Sequence, residues 1–212
     1  MTIIFGIIAI AIAITIHEAA HAWMADRLGD PTARALGRLT LNPLAHYDPV
    51  GTTLLLALVV LRSFGAPVIP FGWAKPVPVD PYNLKNHRKD VALVSLAGPA
   101  SNLIFSIILA ILMRFVPSDL FFVLGYQMIL LNVSLAIFNL IPIHPLDGGK
   151  ILAGLLDEKD ARTFDVFLDR YGVMLLFMLI FPIFGGESFI GRIVNPVIGI
   201  IINLLVPGSS FI

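Results

Sequence analysis

Residues 13–23, "AITIHEAAHAW", close an almost unbroken apolar run with His17, Glu18 and His21. Titratable side chains at membrane depth are costly and by default functional. On a helix His17 and His21 are i and i+4, so both imidazoles leave one face and can hold a single ion. Glu18 stands beside them, placed as an acid or base rather than as a ligand.

The rest of the chain supports that depth. Of 212 residues, 58% are hydrophobic and 13% charged, with a mean hydropathy of +0.91. A soluble domain is nearer half apolar and about a quarter charged, so the composition is that of an integral membrane protein. A net charge of zero leaves no basic surplus for nucleic acid. The absence of cysteine excludes disulfides, thiolate ligands and a thiol nucleophile. The first apolar segment has no basic flank or small-residue cleavage site, which argues against a removable signal peptide.

Runs long enough to cross a bilayer, about 20 residues, stand at 2–24, 91–113 and 120–141. Two more, near 171–184 and 190–206, are broken by Pro182, Gly185 and Gly186 and read as a helical hairpin, about 163–207. The run 50–61 is short. The stretches 37–41 and 70–79 alternate or are punctuated by proline and read as extended strands. The expected fold is a single membrane-embedded domain, 1–212, with its core at about 1–156. It is an all-α polytopic protein with about five transmembrane helices, one re-entrant or interfacial segment and short membrane-associated β-strands.

Of the 14 lysines and arginines, eight lie in 25–90 and four in 142–170, while Arg114 and Arg192 are alone in the other connections. The positive-inside rule places 25–90 and 142–170 in the cytoplasm and the N-terminus outside. Residues 25–90 then begin and end on one side, so 50–61 is not a crossing and needs protein cover.

A catalytic zinc takes three protein ligands and keeps one position open. Met24 and Arg27 occupy the positions where an extended HExxHxxGxxH motif needs glycine and histidine. Glu158 and Glu187 lie in polar connections. Asp147, in "FNLIPIHPLDGGKIL" (138–152), falls on the same membrane face as His17 and His21. Gly148 and Gly149 beside it permit close backbone approach.

These motifs, HEAAH at the end of a membrane helix, "LAGPASN" opening a later one and "NLIPIHPLDGG" ending the next, resemble the site-2 protease family of intramembrane zinc metallopeptidases. The likeness covers about residues 1–156 and is to a short form without PDZ or nucleotide-sensing domains. It implies one Zn2+ per chain held by His17, His21 and Asp147, with Glu18 as catalytic acid and base. It also implies hydrolysis of peptide bonds within or near transmembrane segments of single-pass or other membrane-protein substrates, in a prokaryotic cell membrane, and the charge distribution puts the site toward the cytoplasm. Water must then reach the site through a polar cavity open to the cytoplasm.

Asn102 and Asn139 are candidates for stabilising an oxyanion or positioning substrate, with interhelical hydrogen bonding as the alternative. His144 is a candidate for an extra metal or gating role, and His46 and His87 read as solvated. Gly98 and Pro99 read as packing residues. Two rival functions use the same fold, an inactive membrane scaffold and a metal-ion carrier. Glu18 is superfluous to a scaffold. A carrier needs further histidines or carboxylates, and spans 2–24, 91–113 and 120–141 hold none outside the cluster.

Overall fold

A computed structural model describes residues 2–181 and 188–207. Those residues form eight α-helices: α1 (Thr2–Leu28), α2 (Thr32–Ala35), α3 (Gly51–Ser63), α4 (His87–Met113), α5 (Asp119–Asn139), α6 (Asp147–Leu155), α7 (Glu158–Ile180) and α8 (Phe189–Leu205). Short 3-10 turns stand at Pro43–His46 and Pro81–Asn83.

Three helices are long and apolar enough to cross a membrane: Ile4–Leu28, His87–Met113 and Asp119–Asn139. At 1.5 Å per residue the 27 residues of α1 and of α4 each reach about 40 Å, beyond a hydrocarbon core of about 30 Å. Of the five expected crossings, the last two do not meet the same measure. The first half of α7 is charged (Glu158 to Arg170), and α8 has 17 residues. Residues Pro182, Gly185, Gly186 and Glu187 lie outside the described residues.

α4 packs against both α1 and α5, and α1 also meets α5. A buried cluster joins α4, α5 and α8 through Leu109, Ile129, Val133, Ile198 and Ile202. The helix ends follow local chemistry. The Ser118 hydroxyl accepts from the Phe121 N–H to cap α5, and α5 stops three residues before Pro142. Asp90 turns back to accept the Asn86 N–H at 2.8 Å and closes the start of α4.

The connection from α1 to α4 returns to the end it left. Asp30, just past α1, accepts from the Asp80 N–H at 2.7 Å and the Asn83 amide at 2.9 Å, as well as from Thr32. This fastens the end of α1 to the entry of α4, so the two helices run antiparallel. The 13 residues of α3 reach only about 20 Å, too short to cross. α3 folds back on the following segment, where a side chain at Gly72 would strike the Gly51 carbonyl oxygen at 2.3 Å.

The expected strands do not form; among the described residues there are none. At 37–41 the alternation points the wrong way: Arg38 is buried and Leu41 exposed. Arg38 faces inward because its guanidinium donates to the Lys75 carbonyl at 2.5 Å. Residues 70–79 form neither helix nor strand, and near Glu18 they offer no continuous pairing edge. Pro76 and Pro78 have no N–H, Lys75 donates to the His46 carbonyl at 3.0 Å, and Val77 donates to Glu18. His46 is also corrected: it is 2% exposed, with Nε2 at 3.0 Å from the Thr40 carbonyl. His87 is exposed, as expected.

Candidate metal centre

His17 and His21 lie on the α1 face pressed against α4, both buried. Their rings stand edge to face, 4.6 Å apart between centroids. Asp147, the first residue of α6, reaches in from beyond α5. Its Oδ2 lies 3.0 Å from His17 Nε2 and 3.3 Å from His21 Nε2. The three ligand atoms lie within 4.8 Å of one another. Ligands about 2.0–2.1 Å from a tetrahedral zinc stand roughly 3.3–3.5 Å apart, so the two spacings to Asp147 need little adjustment.

The far side of each ring decides what the near side can do. His17 Nδ1 is 2.7 Å from Asn102 Oδ1, and His21 Nδ1 is 2.7 Å from the Val94 carbonyl oxygen. Both partners are acceptors, so Nδ1 carries the proton in each neutral imidazole and Nε2 presents its lone pair. Two lone pairs and a carboxylate then converge with no proton between them. That donor set fits a cation, and the outer hydrogen bonds fit the usual support of metal-binding histidines.

Backbone packing makes room for it. A Cβ at Gly98 would lie 2.5 Å from His21 Nε2 and 2.7 Å from His17 Cε1, so glycine lets α4 lie flat against both rings. A Cβ at Gly148 would lie 2.3 Å from the Ile141 carbonyl oxygen. Its absence lets the chain fold tightly behind Asp147.

Glu18 is half-buried beside the cluster. Its Oε2 accepts the Val77 N–H at 3.0 Å, which ties the 70–79 segment to Glu18. Nothing in the HEAAH motif announces this contact. Its one sequence trace is "PVPV", in which Val77 is the only donor between two prolines.

The asparagines differ. Asn102 spends both amide hydrogens, on the Ala13 carbonyl at 2.9 Å and on Asn132 Oδ1 at 2.8 Å. It therefore keeps no hydrogen for an oxyanion and serves the interhelical alternative. Asn139 donates to the Leu135 carbonyl at 3.0 Å and has a second hydrogen to give. His144 turns away to α7, where its Nδ1 is 3.2 Å from Asp169 Oδ1. Glu158 is exposed and paired with Arg162, and takes no part in the cluster.

The family model "Peptidase family M50" matches residues 5–127 and 118–181. The chain belongs to peptidase family M50. Peptide-bond hydrolysis is the chemistry of that family, and the matched residues include His17, Glu18, His21 and Asp147. The chain is 38% identical over 186 residues to a Bacillus subtilis protein named "Putative zinc metalloprotease YwhC", covering 82% of this chain and 78% of that one. It is 33% identical over 151 residues to "Putative zinc metalloprotease Rip2" of Mycolicibacterium smegmatis, covering 70% of this chain and 56% of that one. A 67-residue stretch is 40% identical to "Zinc metalloprotease MJ0392" of Methanocaldococcus jannaschii, covering 31% of this chain and 20% of that one. No solved structure matches.

Proposed function

We propose that His17, His21 and Asp147 hold the catalytic zinc of this M50 chain and that Glu18 is its acid and base. The chain is an intramembrane zinc metalloprotease, as its family and the names of its relatives support. One observation carries the residue assignment: one possible ligand atom from each of His17, His21 and Asp147, all buried or half-buried, converges within 4.8 Å of the others.

Zinc bound there supplies a Lewis acid for the scissile carbonyl and a water of lowered pKa. The two imidazoles are held in one tautomer by Asn102 and Val94, so no reorganisation precedes binding. Glu18 accepts the proton of the attacking water and returns it to the leaving amine nitrogen. Val77 holds one oxygen of Glu18 and leaves the other for that work. Asn139 is the remaining candidate for the oxyanion.

The substrates are transmembrane segments of single-pass or other membrane proteins. A groove of about 470 Å³ lies on another face of α1, lined there by Ile16, Ala19, Ala20 and Trp23 and on the other side by Leu39 and Leu41. Small residues on an apolar helix face let another helix approach closely. The protein is multi-pass, with five crossings when α7 and α8 are added. Its N-terminus lies outside and its site toward the cytoplasm, as the distribution of lysine and arginine supports.

The test measures zinc and cleavage of a single-pass substrate on the same preparations. His17→Ala and Asp147→Ala should lose both. A variant of either that keeps full zinc overturns the ligand assignment.

A further inference from the structure

Asn132 on α5 makes its hydrogen bonds to neither Glu18 nor any of the three proposed ligands, yet it is fully buried and so is Asn102. A polar side chain buried among membrane helices has to be fully satisfied, and the way these two are satisfied sets a direction. Asn132 Nδ2 donates to the Met128 carbonyl at 2.8 Å. A backbone carbonyl can only accept, so Asn132 must turn Oδ1 toward Asn102. Asn102 donates its two hydrogens to that oxygen and to the Ala13 carbonyl. Its own Oδ1 is then forced toward His17 Nδ1, 2.7 Å away.

We infer that Asn132 is a positioning residue of the metal centre: through Asn102 it fixes the tautomer of His17 that leaves Nε2 free to bind zinc. The relay crosses three helices, α5 to α4 to α1. Flipping the Asn102 amide would put its oxygen against two acceptors, Asn132 Oδ1 and the Ala13 carbonyl, while offering hydrogens to His17 Nδ1. That flipped state favours the Nε2–H tautomer, which cannot ligate. Removing the Asn132 oxygen takes away one of the two clashes and leaves one amide hydrogen of Asn102 without a partner, so the unwanted state becomes accessible. His21 has no such dependence, because its partner is the Val94 backbone carbonyl, which cannot flip.

The inference rests on His17 being a zinc ligand, and the experiment separates the two. Purified full-length protein in detergent is titrated with zinc against a chelator, for wild type, Asn132→Leu, Asn132→Asp and His17→Ala. Asn132→Leu should raise the zinc Kd about 10-fold, the low end of the 10–100-fold range for outer partners of metal ligands. Asn132→Asp should stay near wild type. An ionised aspartate still accepts from Asn102, and a protonated one also donates to the Met128 carbonyl. Nitrogen-15 shifts of the zinc-free wild type should show His17 as the Nδ1–H tautomer, and Asn132→Leu should shift it toward Nε2–H while leaving His21 unchanged. An Asn132→Leu protein with wild-type zinc affinity overturns the relay, as does an Nε2–H His17 in the zinc-free wild type. If His17→Ala itself keeps its zinc, the ligand assignment fails instead.

Discussion

The backbone N–H of Val77 donates to Oε2 of Glu18 at 3.0 Å across 59 residues of sequence. Pro78 restricts Val77 to extended conformations, so proline can replace valine there with little backbone change while deleting the donor. A hydrogen bond to a charged group contributes about 1.5–3 kcal/mol. Val77→Pro should therefore lower kcat by roughly 10–100-fold if the bond orients Glu18 in the transition state. Zinc content should be unchanged, since Val77 touches no ligand. Unaltered kcat would show that the contact is incidental.

Glu18→Gln keeps an oxygen for Val77 and the side-chain volume, but removes the carboxylate that accepts a proton. Zinc should remain, and hydrolysis should fall by about 10²–10⁴-fold, as for other lost general bases. The readout is single-turnover cleavage in liposomes with metal analysis of the same sample. Loss of zinc from Glu18→Gln would instead place Glu18 among the ligands.

Gly98→Ala tests the floor of the site. The added Cβ would sit 2.5 Å from the His21 ring, and neither ring can retreat without leaving its outer acceptor. Zinc affinity should drop by at least the 10–100-fold seen when outer partners are lost, with α4 still helical by circular dichroism because alanine favours helix. Normal zinc binding by Gly98→Ala would mean that α1 and α4 stand further apart.

Much of the site could be read from the sequence because helix spacing is rigid. The i and i+4 imidazoles follow from a period of 3.6, and Asp147 follows from counting crossings and charges. What escaped was long-range and carried by the backbone. Val94 reaches His21 with a carbonyl that any residue possesses, and Val77 reaches Glu18 with an N–H. Asn102 was ambiguous because its amide has both donor and acceptor ends, and only Ala13 and Asn132 decide which end faces His17. The strands expected at 37–41 and 70–79 do not form because alternation and proline signal an extended chain but do not supply a pairing partner. The segment instead gives the Lys75 and Val77 N–H groups to His46 and Glu18, and Arg38 reverses the expected burial by pinning the Lys75 carbonyl.

Asp30 makes stability depend on acid. Burial raises its carboxyl pKa, but hydrogen bonds from Thr32, Asn83 and the Asp80 N–H outweigh this and hold it below the ordinary range. A lowered folded pKa means the unfolded chain binds more protons, so stability rises with pH in that window. The contribution is fully present above about pH 4 to 5, the unfolded carboxylate range, and is lost as pH falls through the folded value. Thermal unfolding in detergent between pH 6 and pH 3 should show the loss. Asp30→Asn should be less stable at pH 6 and should lose less on acidification. An equal acid slope in the variant would assign the acid lability to other groups.

The same carboxylate fixes the topology that the site requires. Because Asp30 binds the Asp80 N–H and the Asn83 amide, the end of α1 and the start of α4 lie together, and the 25–90 connection cannot leave them on opposite membrane faces. Arg34 and Lys85 are exposed in the connection at that end, Lys159 is exposed in the first turn of α7, and Ser118 is exposed at the turn between α4 and α5. The chain has no cysteine of its own, so single cysteines at these four positions report without background. Labelling with an impermeant maleimide in oriented vesicles should modify Arg34→Cys, Lys85→Cys and Lys159→Cys from the cytoplasmic side and Ser118→Cys from the other. Uniform reversal of all four would keep the site and turn the protein over. Opposite sides for Arg34→Cys and Lys85→Cys would mean that α3 crosses the bilayer. Asp147 could not then reach His17 and His21, and the zinc centre would have to be rebuilt from other ligands.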